Sequence, residues 1–290
     1  MCQYDTLFDS KGTKDDLFTK IYSLSHFCMY LCKNQTMVKN IVLISFLLSS
    51  LLVKAQSDFL PKEFRIVGNV GVTNNGISII PTFSLKAPAL NATFSISKGG
   101  RFSIDPDVRL TFDARKGGGM VWFRYKIAKD KKLRFTVGAH PAYNLALRTI
   151  TENGKSWTIT QTRRFVATEL APSYSFNKHF GLGAYYLHGN GLQKDGPIST
   201  HYVNLSMPIT GVPLGTNLLW SFSPQVYYLQ VDREDGFYLT GNTVISSKKS
   251  PFALMALYNK EIRTNIAGSK NFDWNISLLY TFNNKYKLVK

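Results

Sequence analysis

The sequence predicts an all-β fold: an antiparallel transmembrane β-barrel of about twelve strands, preceded by a signal peptide. Three observations predict it. From Phe64 onward, segments of about ten residues alternate apolar and polar side chains; aromatic residues bracket the apolar rows; and a short apolar run stands ahead of them all. Composition agrees. At 290 residues, 44% hydrophobic and 13% aromatic, the chain is too apolar for disorder. Its 18% of charged residues is low for a surface that meets only water, where about 25% is usual. The balance of +17 and the pI near 9.7 raise nucleic acid or anionic lipid as partners, and the export signal removes nucleic acid.

The signal comes first in the chain. Residues 37–56 read MVKNIVLISFLLSSLLVKAQ, with Lys39 in a short basic lead and an apolar stretch from Ile41 to Val53. Val53 and Ala55 sit where small residues precede a cut, so cleavage is expected after Ala55, leaving Gln56 at the N-terminus. The stretch is shorter than the ~20 residues a spanning helix needs. A signal acts at the start of a nascent chain, so residues 1–36 read as an extension from a start placed upstream of the true one at Met37. Cys2, Cys28 and Cys32, the only cysteines, lie in that extension, which excludes disulfides and thiol chemistry from the exported product. Residues 1–55 hold six Lys and four Asp, so about +15 of the charge is exported.

Period-two alternation defines the strands, because it places one set of side chains on each face. Trp274, Ile276, Leu278, Tyr280 and Phe282 share one face, against Asn275, Ser277 and Thr281. In 102–113, Phe102, Ile104, Val108, Leu110 and Phe112 oppose Ser103, Asp105, Asp107, Arg109, Thr111 and Asp113, with Pro106 on the apolar face. Val121, Phe123, Tyr125 and Ile127 oppose Arg124 and Lys126, and Phe135, Val137, Tyr143, Leu145 and Leu147 oppose Arg134, His140, Asn144 and Arg148. Segment 77–85 alternates as well. Further strands are expected at 64–73, 89–97, 157–175, 179–188, 200–209, 216–231, 236–247 and 251–260. Turns are expected at Asn74–Gly76, Lys98–Gly100, Lys129–Lys131, Glu152–Gly154 and Asp235-Gly236. The candidates number thirteen, whereas single-chain bacterial barrels have even counts. Twelve is therefore expected, with the surplus assigned to 89–97, which is short, or 236–247, which slips phase. A soluble sandwich or lipocalin-like barrel would alternate too, but with strands nearer five or six residues and without the aromatic brackets.

In this pattern the chain resembles the broad class of bacterial outer-membrane β-barrel proteins, porin-like in type. The resemblance covers residues 64–282. It rests on the signal followed by alternating strands and on a last strand ending in Phe282. It implies the outer membrane of a Gram-negative bacterium as location, a barrel over 56–282, and the barrel-assembly machinery, outer-membrane lipids and lipopolysaccharide as partners. Trp274, Tyr280 and Phe282 would stand at the lipid interface. Residues 283–290 depart from the class as a short basic tail after the terminal aromatic.

Charge on a lipid-facing strand position costs ~2–4 kcal/mol at mid-membrane, so strand charges are expected in the lumen or at the rims. By phase, Asp105, Asp107, Arg109, Arg124, Lys126, Arg134, Arg148, Arg163 and Glu169 are the lumen-lining candidates. The remaining lysines fall in connections and the tail, where they meet lipid phosphate or water. An excess of bases in the lumen suits small anionic or polar solutes in a narrow porin-like channel. The same residues could instead pair across the barrel and close it, giving a structural or accessory subunit of an envelope complex. A third reading is a lipid-acting hydrolase. In such barrel enzymes a strand-borne His-x-Ser pair is typical; here His188-Gly189-Asn190-Gly191 has the His but an amide where the nucleophile belongs. His140, His179 and His201 have no ligand-like sequence spacing, and Asp232–Gly236 reads as a hairpin tip, so neither metal nor cofactor is expected.

Overall fold

The computed structural model describes residues 63–76, 80–98, 100–130 and 132–287. The signal at 37–55, the extension at 1–36 and the cut after Ala55 lie outside them. Among the described residues the strands are β1 (Glu63–Thr73), β2 (Ala89–Lys98), β3 (Phe102–Thr111), β4 (Gly117–Lys129), β5 (Leu133–Glu152), β6 (Lys155–Ser175) and β7 (Gly181–Gly191). They continue with β8 (Ser199–Ser206), β9 (Ile209–Leu214), β10 (Leu218–Val231), β11 (Glu234–Ser247), β12 (Phe252–Thr264) and β13 (Phe272–Lys287).

Both β8 and β9 pair with β10, and the break between them falls at Met207-Pro208. Proline has no N–H for the ladder. The two segments are thus one stave of the wall, and thirteen segments make twelve staves. Sequential neighbours pair antiparallel, β10 joins β11, and β13 pairs with β1 from Glu63↔Lys287 to Thr73↔Ser277, which closes the barrel. Closure pairs the first strand with the last, so the wall itself has no open end among the described residues.

Twelve staves agree with the expected number, but the surplus segment was misassigned. Segments 89–97 and 236–247 are both strands. The extra candidate is 77–85, whose described part is a 3₁₀ turn at Pro81–Phe83 within a loop. Within it Ile80 is buried against the core side chains and Phe83 is exposed. Another expectation also shifts: the β10–β11 turn lies at Asp232-Arg233, where Asp232 has φ 53°, while Asp235-Gly236 is already strand.

Exposure alternates with the sequence and runs opposite to a soluble barrel. Along β13, Phe272, Trp274, Ile276, Leu278 and Tyr280 are exposed, while Asp273, Asn275, Ser277 and Leu279 between them are buried. Val121, Phe123, Tyr125 and Ile127 of β4 are exposed, and Trp122 between them is 2% exposed. An outside of large apolar side chains, with the polar strand positions turned inward among buried aromatics, matches hydrocarbon as surroundings. Phe282 belongs to the outer row, its ring 5.7 Å from that of Phe94 across Gly68. Phe64 stacks on Tyr286 at 5.2 Å, and Phe252 meets Tyr280 edge-on at 5.6 Å. From Phe272 to Phe282 the outer row spans roughly 34 Å of strand, or about 25 Å along the axis at the usual ~40° tilt, the height of a hydrocarbon band.

The two ends differ. At the end that carries Glu63 and Lys287, the connections are short, at 99–101, 130–132, 176–180, 215–217 and 248–251. The other end bears loops 74–88, 192–198 and 265–271. It also bears a ribbon, since β5 leaves β4 after Leu145 and β6 meets β7 only from Phe165. The ribbon's tip is Asn153-Gly154, with φ 51° and 75°, the pair of positive values that a tight hairpin turn requires.

Candidate functional site in the barrel interior

Inward positions of β3, β4, β6 and β7 converge on one guanidinium. Arg124 Nε donates to Glu169 Oε1 at 2.5 Å, Nη2 to Glu169 Oε2 at 3.1 Å, and Nη1 to Asp105 Oδ2 at 2.8 Å. Tyr185 donates its hydroxyl to Glu169 Oε2 at 2.7 Å, and Ser103 donates to Asp105 Oδ2 at 3.2 Å. The Arg124 guanidinium also lies 4.4 Å over the Trp122 ring, whose other contact is His140 at 3.9 Å. The Glu169 side chain is 1% exposed, and Gly138 opposite leaves room for it, because a Cβ there would come within 2.8 Å of Oε1. One fork-shaped cation bonds both carboxylates, which is the arrangement that makes buried charge tolerable, and both Glu169 oxygens and one Asp105 oxygen are engaged.

Next to this belt, toward the loop-bearing end, the lumen is filled by aromatic and aliphatic side chains. Tyr185, Tyr202, Tyr227 and Tyr238 follow one another around the wall, with ring centres 5.9, 5.2 and 4.7 Å apart. Their hydroxyls are occupied: Tyr227 donates to Asn259 Oδ1 at 2.8 Å and meets Thr82 Oγ1 at 2.8 Å, and Tyr238 donates to Thr264 at 2.7 Å. Leu187 and Leu229 pack among them, and Ile80 and Ile266 reach in from loops 74–88 and 265–271. Polar contacts hold those loops: Asn75 and Ser84 donate to Asp273, Lys86 to the Gly268 carbonyl at 2.8 Å, and Lys116 to the Leu85 carbonyl.

On the terminus-bearing side of the plug is a cavity of about 280 Å³, lined by Ser95, Ser103, Asp105, Arg124, Lys126, Thr136, Glu169, Ala171 and Tyr185. Asp105 Oδ1 is buried there with no hydrogen-bond partner among the described residues. Four of the nine lumen candidates, Asp105, Arg124, Lys126 and Glu169, therefore share one cavity. Asp107 and Arg109 pair with each other at 2.8 Å, and Arg134 is exposed near the terminus-bearing mouth. Arg148 and Arg163 stand on the ribbon, where Asp195 binds them: Arg148 Nη1 lies 2.9 Å from Oδ2 and Arg163 Nη2 donates to the main-chain carbonyl at 2.9 Å. Gln161 donates to the same carboxylate. That hydrogen bond first, then the two arginines, hold the Asp195 carboxyl below its ordinary pKa.

Sequence reasoning missed the tyrosine row, because Tyr185, Tyr202, Tyr227 and Tyr238 read as girdle aromatics as easily as inward ones. The phase of their neighbours could have placed them: Leu182, Val203, Val226 and Phe237 are exposed on the opposite face. His188 faces outward and hydrogen-bonds Asn190. Around the Asp232–Gly236 tip the carboxylates are occupied separately, Asp232 by the amides of Ile198 and Ser199, Glu234 by that of Ala267, and Asp235 by the Tyr228 hydroxyl.

No family model matches the chain, and no curated protein matches it. Solved structures that resemble it are porins and other outer-membrane barrels. A NanC porin is 12% identical with a TM-score of 0.46, covering 77% of this chain and 100% of that one. A KdgM porin in complex with disordered oligogalacturonate is 8% identical with a TM-score of 0.44, covering 75% and 99%. The beta domain of the Bordetella autotransporter BrkA is 11% identical with a TM-score of 0.43, covering 76% and 99%. At TM-scores below 0.5 these likenesses carry no weight beyond the barrel architecture already described.

Proposed function

We propose that this protein is a porin-like channel of a Gram-negative outer membrane, for small polar or anionic solutes, closed by its own loops in the conformation described. The observation that carries the reading is the polar cavity inside an apolar-walled barrel. It has an unsatisfied acceptor at Asp105 and a cation, Lys126, in its lining, and Arg134 stands exposed outside it near the start of β5. Export through the signal at 37–55, insertion by the barrel-assembly machinery and contact with lipopolysaccharide belong to the same proposal. So do Trp274 at one interface and Tyr280 and Phe282 at the other.

Arg124 is not the anion attractor in this reading, since Glu169 and Asp105 neutralise it. Selectivity rests on Lys126 and Arg134. In planar bilayers, replacing loop residues 80–87 by a short Gly-Ser linker is expected to raise unit conductance several-fold over wild type. In that open variant, Lys126→Glu with Arg134→Glu shifts the reversal potential toward cations. A second reading is favoured by the plug itself, in which Tyr238 and Leu229 are 0% exposed: a sealed barrel serving as a subunit of an envelope complex. Silence of the loop-replaced variant, together with co-purification in an assembly larger than the monomer, would establish that reading instead.

A further inference from the structure

The outer face of β7 and β8, near the loop-bearing end, holds chemistry that a channel does not use. Antiparallel register sets His188 directly opposite His201, and Asn190 directly opposite Ser199. All four face outward, because Leu187, Gly189 and Tyr202 between them are buried. Ser199 Oγ lies 3.4 Å from His201 Nε2, and the Tyr186 hydroxyl lies 3.0 Å from His201 Nδ1. The His188 ring stacks on His201 at 4.5 Å, and Asn190 Nδ2 is 3.1 Å from His188 Nε2. Asp232 Oδ1 accepts the amides of Ile198 at 2.9 Å and Ser199 at 2.8 Å, which fixes the start of β8 and with it the Ser199 backbone.

The place of this group on the wall suggests its substrate. Pairing aligns Tyr186, Val203, Tyr228 and Phe237 in one outer row, and the Arg263 guanidinium stands 5.9 Å over Phe237. Two tyrosines, a phenylalanine and a cation at one level of a lipid-facing wall mark the boundary between hydrocarbon and headgroups. Ser199 and His201 are the next outward positions of β8 beyond that row, at the depth where membrane lipids carry their acyl esters.

We propose that Ser199, His201 and Tyr186 form an acyl-ester hydrolase site for membrane lipids, independent of the channel inside the barrel. A hydroxyl, a base within reach and a third group orienting the base are the parts that activate a serine, and hydrogen bonds in the free enzyme are commonly long. As Ser199 Oγ bonds to the ester carbonyl carbon, its proton passes to His201 Nε2 and the carbonyl electron pair moves onto oxygen. Asn190, directly across from Ser199, offers its amide N–H to that oxyanion. On collapse the ester C–O bond breaks and His201 returns the proton to the departing alkoxide. Water then attacks the acyl-serine carbonyl and gives its proton to His201 Nε2; the acyl–Oγ bond breaks, His201 returns that proton to Ser199 Oγ, and fatty acid leaves. Tyr186 accepts Nδ1–H of the imidazole, and His188 limits its rotation by stacking; both are positioning residues. The hydrolase weighed on His188 lacked a nucleophile within its own strand, and register supplies one from the next.

The detergent-purified protein is treated with a fluorophosphonate probe and, separately, with mixed micelles of diacyl phosphatidylethanolamine, acylated lipid A or a short-chain nitrophenyl ester. Labelling at Ser199 by mass spectrometry is expected, together with fatty-acid release from one of the two lipids. Both are lost in Ser199→Ala and fall roughly 100-fold in His201→Ala. Tyr186→Phe shifts the pH profile of labelling, which a purely structural tyrosine would not do. Release from the phospholipid or from lipid A alone identifies the source of the ester, and turnover confined to the nitrophenyl ester overturns the lipid assignment. No release and no label at Ser199, in protein whose gel mobility is heat-modifiable and therefore folded, overturns the proposal whole. Because this readout is blind to conductance, it fails or succeeds separately from the channel.

Discussion

At the scale of single residues, parity along a strand told the sequence reader which side chains share a face, but not which of them meet. Arg124 could be assigned to the polar row of β4 from its neighbours Val121, Phe123 and Tyr125. Its partner Glu169 lies forty-five residues away on β6, and only register brings the two within 2.5 Å. Hence a residue that reads as a solute contact is a counter-ion. Arg124→Met leaves two buried carboxylates without their cation, and removal of one partner of such a group costs about 3–5 kcal/mol. A matching fall in the urea midpoint of folded barrel in detergent is expected, and adding Glu169→Gln should recover part of it. A loss below about 1 kcal/mol would show that the belt is solvated. Asp195 gives a pH prediction at the loop-bearing end. Its folded pKa is below the ordinary 3.8, so its clamp on Arg148 and Gln161 is fully present above that value and is lost as pH falls through the lower one. Hydrogen exchange of ribbon amides 146–164 should therefore stay unchanged from pH about 5 to about 4, after correction for intrinsic rates, and quicken only below. In Asp195→Ala it should be fast throughout.

Single elements were legible wherever alternation had one cause. Strands β3, β4 and β13 separate hydrocarbon from a polar lumen, and their outer rows could be read directly. Segment 77–85 shows the limit of the rule: a short run can alternate without being a strand, and here Pro81 starts a 3₁₀ turn with Ile80 and Pro81 buried side by side and Phe83 exposed. The strand expected at 200–209 is shorter than its stave, since the wall resumes after the break at Met207-Pro208 and continues to Leu214. Glycine in β1 has a packing role that the alternation cannot express. A Cβ at Gly68 would meet the Thr93 carbonyl at 2.4 Å and the Phe282 ring at 2.8 Å. Gly68→Ala must push apart the β1–β2 backbone or displace Phe282 from Phe94. Overpacking of this kind costs about 1–3 kcal/mol. The expected result is a lower urea midpoint and slower appearance of the heat-modifiable band during refolding into detergent. The pairing with Phe282→Leu should relieve part of the cost if the ring is the obstacle, and none if the carbonyl is.

Across the whole molecule, the sequence carried the barrel because closure repeats one local rule a dozen times. It did not carry the state of the lumen, which depends on how loops 74–88 and 265–271 fold back over side chains from many staves. Closure itself makes the last prediction. Segment 283–290 reads in sequence as a basic tail beyond the terminal aromatic, yet Asn283–Lys287 continue β13 and face Glu63–Val67 of β1 residue for residue. The seam there is tied by Arg65 donating to Asn283 at 2.7 Å, by Phe64 stacked on Tyr286 at 5.2 Å, and by Lys287 3.2 Å from Glu63. Cross-strand pairs are each worth roughly 0.2–1 kcal/mol, so ending the chain at Phe282 should cost about 1–5 kcal/mol. It would also leave the first turns of β1 with unpaired backbone at the rim. The temperature at which the folded band converts to the unfolded one on a gel should fall for the truncated chain. Tyr286→Ala should account for a measurable part of that fall, whereas Lys285→Ala, whose side chain is exposed, should not. A truncated chain that converts at the wild-type temperature would mean that the barrel is sealed by β1 and β13 above Val67 alone, and that the segment after Phe282 is the tail its composition suggests.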